Sequence, residues 1–259
     1  MANANSFTVT YVGGPTAIFE IGGLRIMTDP TLDPPGCVYP PSDLKPVKTL
    51  GPALISIGEI DIVLLSHDQH YDNFDLAGRE LVKKVKKTYT TEPGAARIKG
   101  NSVGLAPWQT VHVPSPEGIE IHIMGTPARH GPAGSEKIQG QVTGFLLTLG
   151  NDAAPAIYLT GDTVYYEGVA EVARRYRPKY VFPFAGAAQP RGPFTVTMRT
   201  NDVIDTALDF PESTIIPLHF EGWAHLTQNA ADIQHSYQIL DTPSRLRILE
   251  AGVPTTLEL

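Results

Sequence analysis

The fold of this chain is decided by residues 66–75, Ser66-His67-Asp68-Gln69-His70-Tyr71-Asp72-Asn73-Phe74-Asp75. They follow Ile62–Leu65, a continuous apolar run of the kind that forms a strand buried on both faces. They precede Leu76–Lys87, where the apolar positions have helical spacing and Asp75 is placed to cap the first turn. A cap explains one aspartate only. So many histidines and aspartates at a buried strand end are costly unless something binds them, which points to a metal ion.

Three later segments repeat the pattern of an apolar strand that ends in a metal-capable residue. His130 follows residues 121–124, Asp162 follows residues 157–159 and His219 follows residues 215–218. Loops at strand ends converge while the strands stay rigid, so binding and catalytic residues gather there. Each of the three residues alone has an ordinary explanation as a cap or a hydrogen-bonded histidine. Together with the first loop, they predict one common site.

The first loop resembles the His-x-His-x-Asp-His signature of the metallo-β-lactamase superfamily, and the later residues match its remaining ligand positions in order. The resemblance covers nearly the whole chain. The opening hairpins, Thr28-Asp29-Pro30 and Gly161-Asp162-Thr163 are most similar to the branch with the bacterial ascorbate-6-phosphate lactonases and the N-acyl-phosphatidylethanolamine phospholipases. The resemblance implies an α/β (α+β) fold in a single domain, residues 1–259. This fold is a four-layer αβ/βα sandwich of two mixed β-sheets flanked by helices.

The same resemblance implies two metal sites at one edge of the sheets. The implied ligands are His67, His70 and His130 for the first ion, Asp72 and His219 for the second, and Asp162 as the bridge. Imidazole and carboxylate ligands suit zinc, manganese or iron, and the branch favours zinc or manganese. Asp72 and Asp162 are the expected catalytic residues. Asp162 would hold the ions, and Asp72 would orient the nucleophile or carry its proton.

Two departures from the signature put part of this ligand set in doubt. Asp68 and Gln69 separate the first two histidines, where the signature has a single residue. Either the loop bulges so that His67 still reaches the metal, or Asp68 takes its place; deletion of Gln69 would restore the pattern, which favours His67. Asn73 stands where the signature has a histidine for the second ion. An amide oxygen is a weaker, neutral ligand, so we expect the second site to be weakened, filled only with substrate, or empty.

Other polar residues on the same predicted loops are candidates for contacts with the substrate or with the metal ligands. They are Tyr71, Arg129, Tyr165, Glu221, Trp223 and His225. Residues 221–225 follow His219 closely, so we expect them to form a pocket wall. His225 is expected either to contact the substrate or a ligand, or to be a surface or capping histidine.

The remaining histidines show no spacing that suggests a metal site. His112, His122 and His235 are therefore expected to be structural. Asp29 is expected to tie down the loop beneath the site and not to bind the metal.

Composition excludes some classes of partner. The net charge of −7 argues against nucleic acid or an anionic membrane as the main partner, because both select basic surfaces. The single cysteine, Cys37, cannot form an internal disulfide and fits a reducing compartment. The N-terminus lacks a signal-peptide pattern, and no apolar stretch approaches the about twenty residues of a membrane span. We expect a soluble, cytoplasmic protein that acts on a small molecule, with a homo-oligomer left open.

The sequence thus predicts a metal-dependent hydrolase that activates water on one or two ions to cleave a small ester, lactone or phosphate ester. Two alternatives stay open. One is a metal-dependent oxidoreductase of the same fold. Against it, the sequence indicates neither a flavin domain nor a glutathione-type site. The other is a metal-binding protein that has lost catalysis, an alternative that Asn73 keeps open.

Overall fold

The computed structural model describes residues 6–40, 45–150, 154–240 and 245–259. In these ranges the chain forms two mixed β-sheets. The strands of the first sheet are β1 (Ser6–Gly13), β2 (Thr16–Ile21), β3 (Leu24–Thr28), β4 (Ile62–Leu64), β5 (Lys87–Thr90), β6 (Ser102–Gly104) and β13 (Pro254–Glu258). Their order is β13-β1-β2-β3-β4-β5-β6. Pairing is antiparallel from β13 to β3 and parallel from β3 to β6.

The second sheet is also mixed. Its strands are β7 (Thr110–Pro114), β8 (Glu120–Pro127), β9 (Thr143–Leu149), β10 (Ile157–Leu159), β11 (Tyr180–Phe182) and β12 (Thr214–Ile215). They lie in the order β12-β11-β10-β9-β8-β7. Pairing is antiparallel from β7 to β10 and parallel from β10 to β12. The prediction of two mixed sheets flanked by helices is confirmed.

Six helices lie in the described part of the chain. They are α1 (Leu76–Leu81), α2 (Glu92–Ile98), α3 (Glu136–Gln139), α4 (Glu167–Arg175), α5 (Thr200–Asp209) and α6 (Ala230–Ile239). Asp75 caps α1 as predicted, since its carboxylate accepts a hydrogen bond from the backbone N–H of Gly78. None of the helices described combines the length and apolar character that a membrane crossing requires.

The prediction of a helix as far as Lys87 is wrong. Helix α1 ends at Leu81, and Lys87 instead begins β5. The side-chain amide of Asn101 donates to the carbonyls of Val82 and Val85, while Lys86 N donates to Asp61 O. These bonds take up the backbone groups that a longer helix would use and lead the chain into the sheet.

Apolar side chains fill the space between the sheets and also cover the outer face of the first sheet. Between the sheets, the rings of Phe7 and Phe19 contact Tyr180 and Phe182 at centroid distances of 5.5 and 5.1 Å. Strand β4 contributes to both cores: Ile62 and Leu64 face the second sheet, and Val63 packs beneath α1. Burial on both faces holds β4 rigid, so the loop that follows it starts from a fixed point.

Candidate metal centre

Four strand ends lead to the candidate site. The loops after β4, β8 and β10 carry residues 66–75, His130 and Asp162. A parallel bridge between Phe184 and Leu218 extends the β11–β12 pairing up to His219. The structure thus brings six buried side chains into two adjoining groups. They are His67, His70 and His130 in the histidine group, and Asp72, Asp162 and His219 in the carboxylate group. Within each group, the ligand atoms all lie within 4.8 Å of one another.

Three ring nitrogens converge in the histidine group. The Nε2 atom of His67 lies 2.8 Å from Nδ1 of His70, and the Nε2 atom of His130 lies 3.1 Å from the same nitrogen. His70 therefore faces two imidazole nitrogens at once with a single ring atom.

The outer hydrogen bonds fix which nitrogens carry protons. Ser66 Oγ donates its proton to Asp29 Oδ1 at 2.7 Å, so it accepts from His67 Nδ1 at 2.9 Å. Nδ1 of His130 lies 2.8 Å from the carbonyl oxygen of Val196, which can only accept. Both residues therefore present lone pairs on Nε2 toward His70. One N–H on His70 cannot satisfy two lone pairs, whereas a cation can, and such outer partners are typical of metal-binding histidines.

Burial keeps these imidazoles neutral. Burial, followed by the neighbouring histidines, holds the pKa of His67 well below its ordinary value. Burial lowers the pKa of His130 to about 3 and that of His219 to about 4. The pKa of His70 is also lowered, by burial first and in addition by the positive charge of Arg191. Neutral imidazole is the form that binds metals.

The carboxylate group is joined by longer contacts. His219 Nε2 lies 3.7 Å from Asp162 Oδ1 and 3.8 Å from Asp72 Oδ2. Asp162 Oδ2 lies 3.7 Å from His130 Nε2, so Asp162 stands between the two groups. These distances are too long for hydrogen bonds.

Asp162 and His219 are buried without partners for their polar atoms. Neither carboxylate oxygen of Asp162 and neither ring nitrogen of His219 has a hydrogen bond. Burial, together with the charges of Asp72 and Asp29, raises the pKa of Asp162 well above its ordinary value. Orphaned polar atoms of this kind are costly in a protein interior, and a divalent cation would satisfy them. The residues present therefore fit a metal ion.

The backbone around His219 is strained. His219 has a φ of +58°, in the left-handed region, and its N–H donates to Gly14 O at 2.7 Å. A Cβ atom on Gly186 would lie 2.4 Å from the carbonyl oxygen of His219, so only glycine fits against this turn. Strain held in place by such packing is common at functional sites.

Asp72 is bound to His225, one of the candidate supporting residues. Nε2 of His225 lies 2.8 Å from Asp72 Oδ2. Burial alone would raise the pKa of Asp72, but His225 and then His219 lower it well below its ordinary value. The side chains of His225 and Asp72 are 13% and 10% exposed. The centre therefore reaches solvent beside an ionised Asp72.

The extra residue of the first loop is accommodated outside the histidine group. The Asp68 carboxylate is held by the guanidinium of Arg97 through two contacts of 2.7 and 2.6 Å. Gln69 accepts from Asp68 N and donates to Gln141 O. The structure therefore places His67 in the histidine group and Asp68 outside both groups.

Asn73 lies fully buried between two carboxylates. Its side-chain amide favours the charged forms of Asp29 and Asp162 and so opposes the rise in their pKa that burial causes. Burial still raises the pKa of Asp29 to about 8. Neither amide atom of Asn73 has a hydrogen bond of normal geometry. The amide is thus placed beside the carboxylate group, where a histidine ligand would stand in the signature.

An aromatic wall stands beside His225. It consists of Tyr39, Tyr71 and Trp223. Tyr39 stacks on Tyr71 with 4.8 Å between ring centroids and lies 5.8 Å from Trp223, which is 6.3 Å from His225. Tyr39 comes from the loop after β3, and its sequence surroundings gave no signal that it would join the site.

The other candidate residues lie further from the six ligands. Arg129 sits over the Tyr166 ring at 4.4 Å, and both line a cavity of about 410 Å³ that His130 also lines. The hydroxyl of Tyr165 donates to Asp209 in α5 at 2.6 Å. Glu221 lines a separate cavity of about 270 Å³. Of these three residues, Arg129 is the one that shares a cavity with a member of the two groups.

The chain is similar to known proteins in sequence and in fold. The model of the beta-lactamase superfamily domain matches residues 24–220. The protein YddR of Bacillus subtilis, of the UPF0173 group, is 24% identical over 255 residues, which cover 94% of this chain and 97% of YddR. An isothiocyanate hydrolase from Delia radicum gut bacteria superimposes with a TM-score of 0.82 at 22% identity, covering 97% of this chain and 99% of that one. Igni18, a metallo hydrolase of the archaeon Ignicoccus hospitalis, gives a TM-score of 0.72 at 17% identity, with coverages of 98% and 99%.

The chain belongs to the beta-lactamase superfamily, because the family model covers most of its length. The resemblance seen in the loop after β4 is thereby confirmed at the level of the superfamily. At 22% and 17% identity, the two structural matches show a shared fold.

Proposed function

We propose that this protein is a metal-dependent hydrolase that cleaves a small ester, lactone or phosphate ester. The observation that carries the proposal is Asp162, a fully buried carboxylate without a hydrogen bond of normal geometry, placed between neutral imidazoles of both groups. A structural role would leave this carboxylate unsatisfied, whereas a metal role uses it.

The proposed ligands are the six residues of the two groups. His67, His70 and His130 would hold one ion, Asp72 and His219 a second, and Asp162 both. Imidazole and carboxylate donors fit zinc or manganese. When bound, a divalent metal ion lowers the pKa of water from about 16 to about 7 and polarises an oxygen of the substrate.

The residues at the solvent side would move the proton. Asp72 is ionised and can accept a proton at a carboxylate oxygen. Its bond to His225 holds the carboxylate in place and offers a path for that proton toward solvent. Asp162 is buried more deeply, and its carboxylate would hold the ions in position and balance part of their charge.

The side chains around the centre favour a small substrate that has an apolar part. The aromatic wall offers flat faces next to the Asp72–His225 pair. Esters, lactones and phosphate esters all present a carbonyl or phosphoryl centre that is open to attack by water. Because one similar structure is an isothiocyanate hydrolase, we include the electrophilic carbon of an isothiocyanate among the centres to be tested.

The test is a substrate screen of the holoprotein purified without added metal. Lactones, aryl esters, bis-p-nitrophenyl phosphate and an aryl isothiocyanate are assayed with the natural chain and with His130→Ala. We expect turnover of one class by the natural chain and none by the variant. Turnover that needs dioxygen and iron would support the oxidoreductase instead. A chain that binds metal and turns over no substrate of the screen would favour lost catalysis.

A further inference from the structure

A second group of metal-capable side chains lies on the β7–β8 hairpin. His112 and His122 are directly opposite each other in the antiparallel register, with ring centroids 4.3 Å apart. Glu120 lies two residues before His122, on the same face of β8. One atom, Glu120 Oε2, is 3.2 Å from Nδ1 of His112 and 2.9 Å from Nε2 of His122. All three candidate ligand atoms lie within 4.8 Å of one another.

The separations match the edges of a metal coordination shell. Metal–ligand bonds of about 2.0–2.1 Å in a tetrahedral arrangement place neighbouring ligand atoms about 3.3 Å apart. The carboxylate oxygen already lies close to that distance from both imidazole nitrogens. The hairpin register sets this arrangement, so a metal ion would find its ligands in place.

We propose that His112, Glu120 and His122 form a surface site for a divalent transition-metal ion, of the Zn²⁺, Ni²⁺ or Cu²⁺ type. Two imidazoles and one carboxylate select such ions over Mg²⁺ or Ca²⁺, which prefer all-oxygen sites. Without metal, the carboxylate accepts an N–H bond from each imidazole. When a metal ion binds these two nitrogens, each imidazole stays neutral and carries its proton on the other ring nitrogen. The side chains of His112 and Glu120 are more than half exposed, so water completes the coordination.

This hairpin site is independent of the central groups. His130 lies beyond the end of β8 at Pro127. His122 is five residues before that end, which corresponds to roughly 17 Å along a strand. Ions at the two places therefore have no ligand in common.

The test is a ZnCl₂ titration of the holoprotein after loosely bound metal has been removed by gel filtration. Isothermal calorimetry should show one equivalent of Zn²⁺ bound by the natural chain beyond any that fills the second central site, which the natural chain and the double variant below have in common. In a His112→Asn and His122→Asn double variant, the affinity of that equivalent should fall by at least about tenfold, since even a lost supporting contact costs about 10–100-fold. The Glu120→Gln variant should lie between the two. The matched control is His235→Asn, which removes an exposed histidine of α6 and should change nothing.

A second probe reports the ligands directly. With one added equivalent of Cu²⁺, the electron paramagnetic resonance spectrum should show coupling to imidazole nitrogens, and the double variant should lose it. The substituted side chains lie toward the surface, and the circular dichroism spectrum of the double variant should match that of the natural chain. The proposal fails if the natural chain takes up no further Zn²⁺. It also fails if a folded double variant binds that ion as tightly as the natural chain.

Discussion

The histidine group and the carboxylate group adjoin each other, but they are supported in opposite ways. In the histidine group, Ser66 and the Val196 carbonyl accept the outer protons of His67 and His130, which fixes their metal-facing lone pairs. In the carboxylate group, Asp162 and His219 have no hydrogen bond at any side-chain polar atom. The histidine group therefore has its ring orientations fixed before an ion binds. In the carboxylate group, the polar atoms of Asp162 and His219 gain partners only when an ion binds.

This difference separates two functions within one centre. A group with fixed tautomers binds an ion with little reorganisation, so it provides affinity. The unsatisfied buried atoms of Asp162 and His219 gain most from binding, and Asp72, the third member of the carboxylate group, reaches solvent through His225. We infer that the histidine group anchors metal and that the carboxylate group is where the chemistry occurs. Variants in each group distinguish the two functions.

The largest effect should come from Asp162, which stands between both groups. Asp162→Asn should lower metal affinity and turnover by more than about 100-fold, because it removes a proposed ligand and not a supporting contact. The metal-free variant should be at least as stable as the natural chain, since it no longer buries a carboxylate of raised pKa. Metal analysis, kinetics and urea unfolding of chelator-treated protein measure the three quantities.

His130→Ala is the matched variant in the histidine group. It should lower metal affinity and activity by a comparable factor, but it should destabilise the metal-free protein, because it removes the hydrogen bond to Val196 and leaves a cavity. Equal stability losses for both variants would contradict the division.

His225→Gln should affect chemistry and leave the metal in place. The variant loses the imidazole bound to Asp72. We expect kcat to fall by about 100-fold, the lower range for a lost proton-transfer group. Metal content should stay unchanged. A loss of metal instead of turnover would show that His225 belongs to the binding set.

Ser66→Ala should weaken the histidine group without touching a ligand. His67 would lose the acceptor of its Nδ1 proton, and supporting contacts of this type are worth about 10–100-fold in metal affinity. The matched control is Ser135→Ala, because the Ser135 hydroxyl donates to the backbone carbonyl of His130 and not to a ring. A competition titration against a chelator measures the metal affinity of the two variants. Equal metal affinities would show that Ser66 does not support His67.

Asn73→His should strengthen the carboxylate group. A histidine there restores the residue of the family signature and supplies a stronger ligand, so the second ion should bind about tenfold more tightly. Titration with Zn²⁺ or Mn²⁺ after the first equivalent measures this affinity, in chains that also carry His112→Asn and His122→Asn so that the hairpin site takes up no ion. If the natural chain holds two ions and the variant binds them no more tightly, the assignment of Asn73 is wrong.

The smallest effect should come from Asp68. Its partner Arg97 is half exposed, so solvent screens the pair from one side, although the Asp68 carboxylate itself is buried. Asp68→Asn should therefore leave metal content unchanged and lower the free energy of unfolding by about 1 kcal/mol, whereas Arg97→Gln should lower it more, because it leaves a buried carboxylate unpaired. If Asp68→Asn lost metal and Arg97→Gln did not, Asp68 would have to be counted as a metal ligand.

The residues of the histidine and carboxylate groups could be predicted from local sequence, because each candidate ligand lies in a loop that follows an apolar strand. The loop after β4, together with His130, Asp162 and His219, carried the superfamily resemblance, and the end of each strand fixed its place. The boundary of α1 could not be predicted, since the bonds that end it come from Asn101 and Asp61. Those residues lie far from α1 in the chain.

Residues that reach the site from distant parts of the chain could not be predicted from local sequence. Tyr39 joins the aromatic wall from a loop without periodicity, and Arg191 acts on His70 from a distant segment. His112 and His122 are ten residues apart, which is no ligand spacing along a chain, yet the hairpin register places them opposite each other. Sequence spacing therefore gave no indication of this cross-strand pair.

The central claim is that the two groups bind metal, and metal content tests it most directly. The natural chain is purified without added metal, washed with a weak chelator to clear the hairpin site, and analysed for metals beside His130→Ala. We expect one or two ions of zinc or manganese per natural chain and none in the variant. A natural chain that holds no ion, and takes up none from a Zn²⁺ or Mn²⁺ solution, would contradict it.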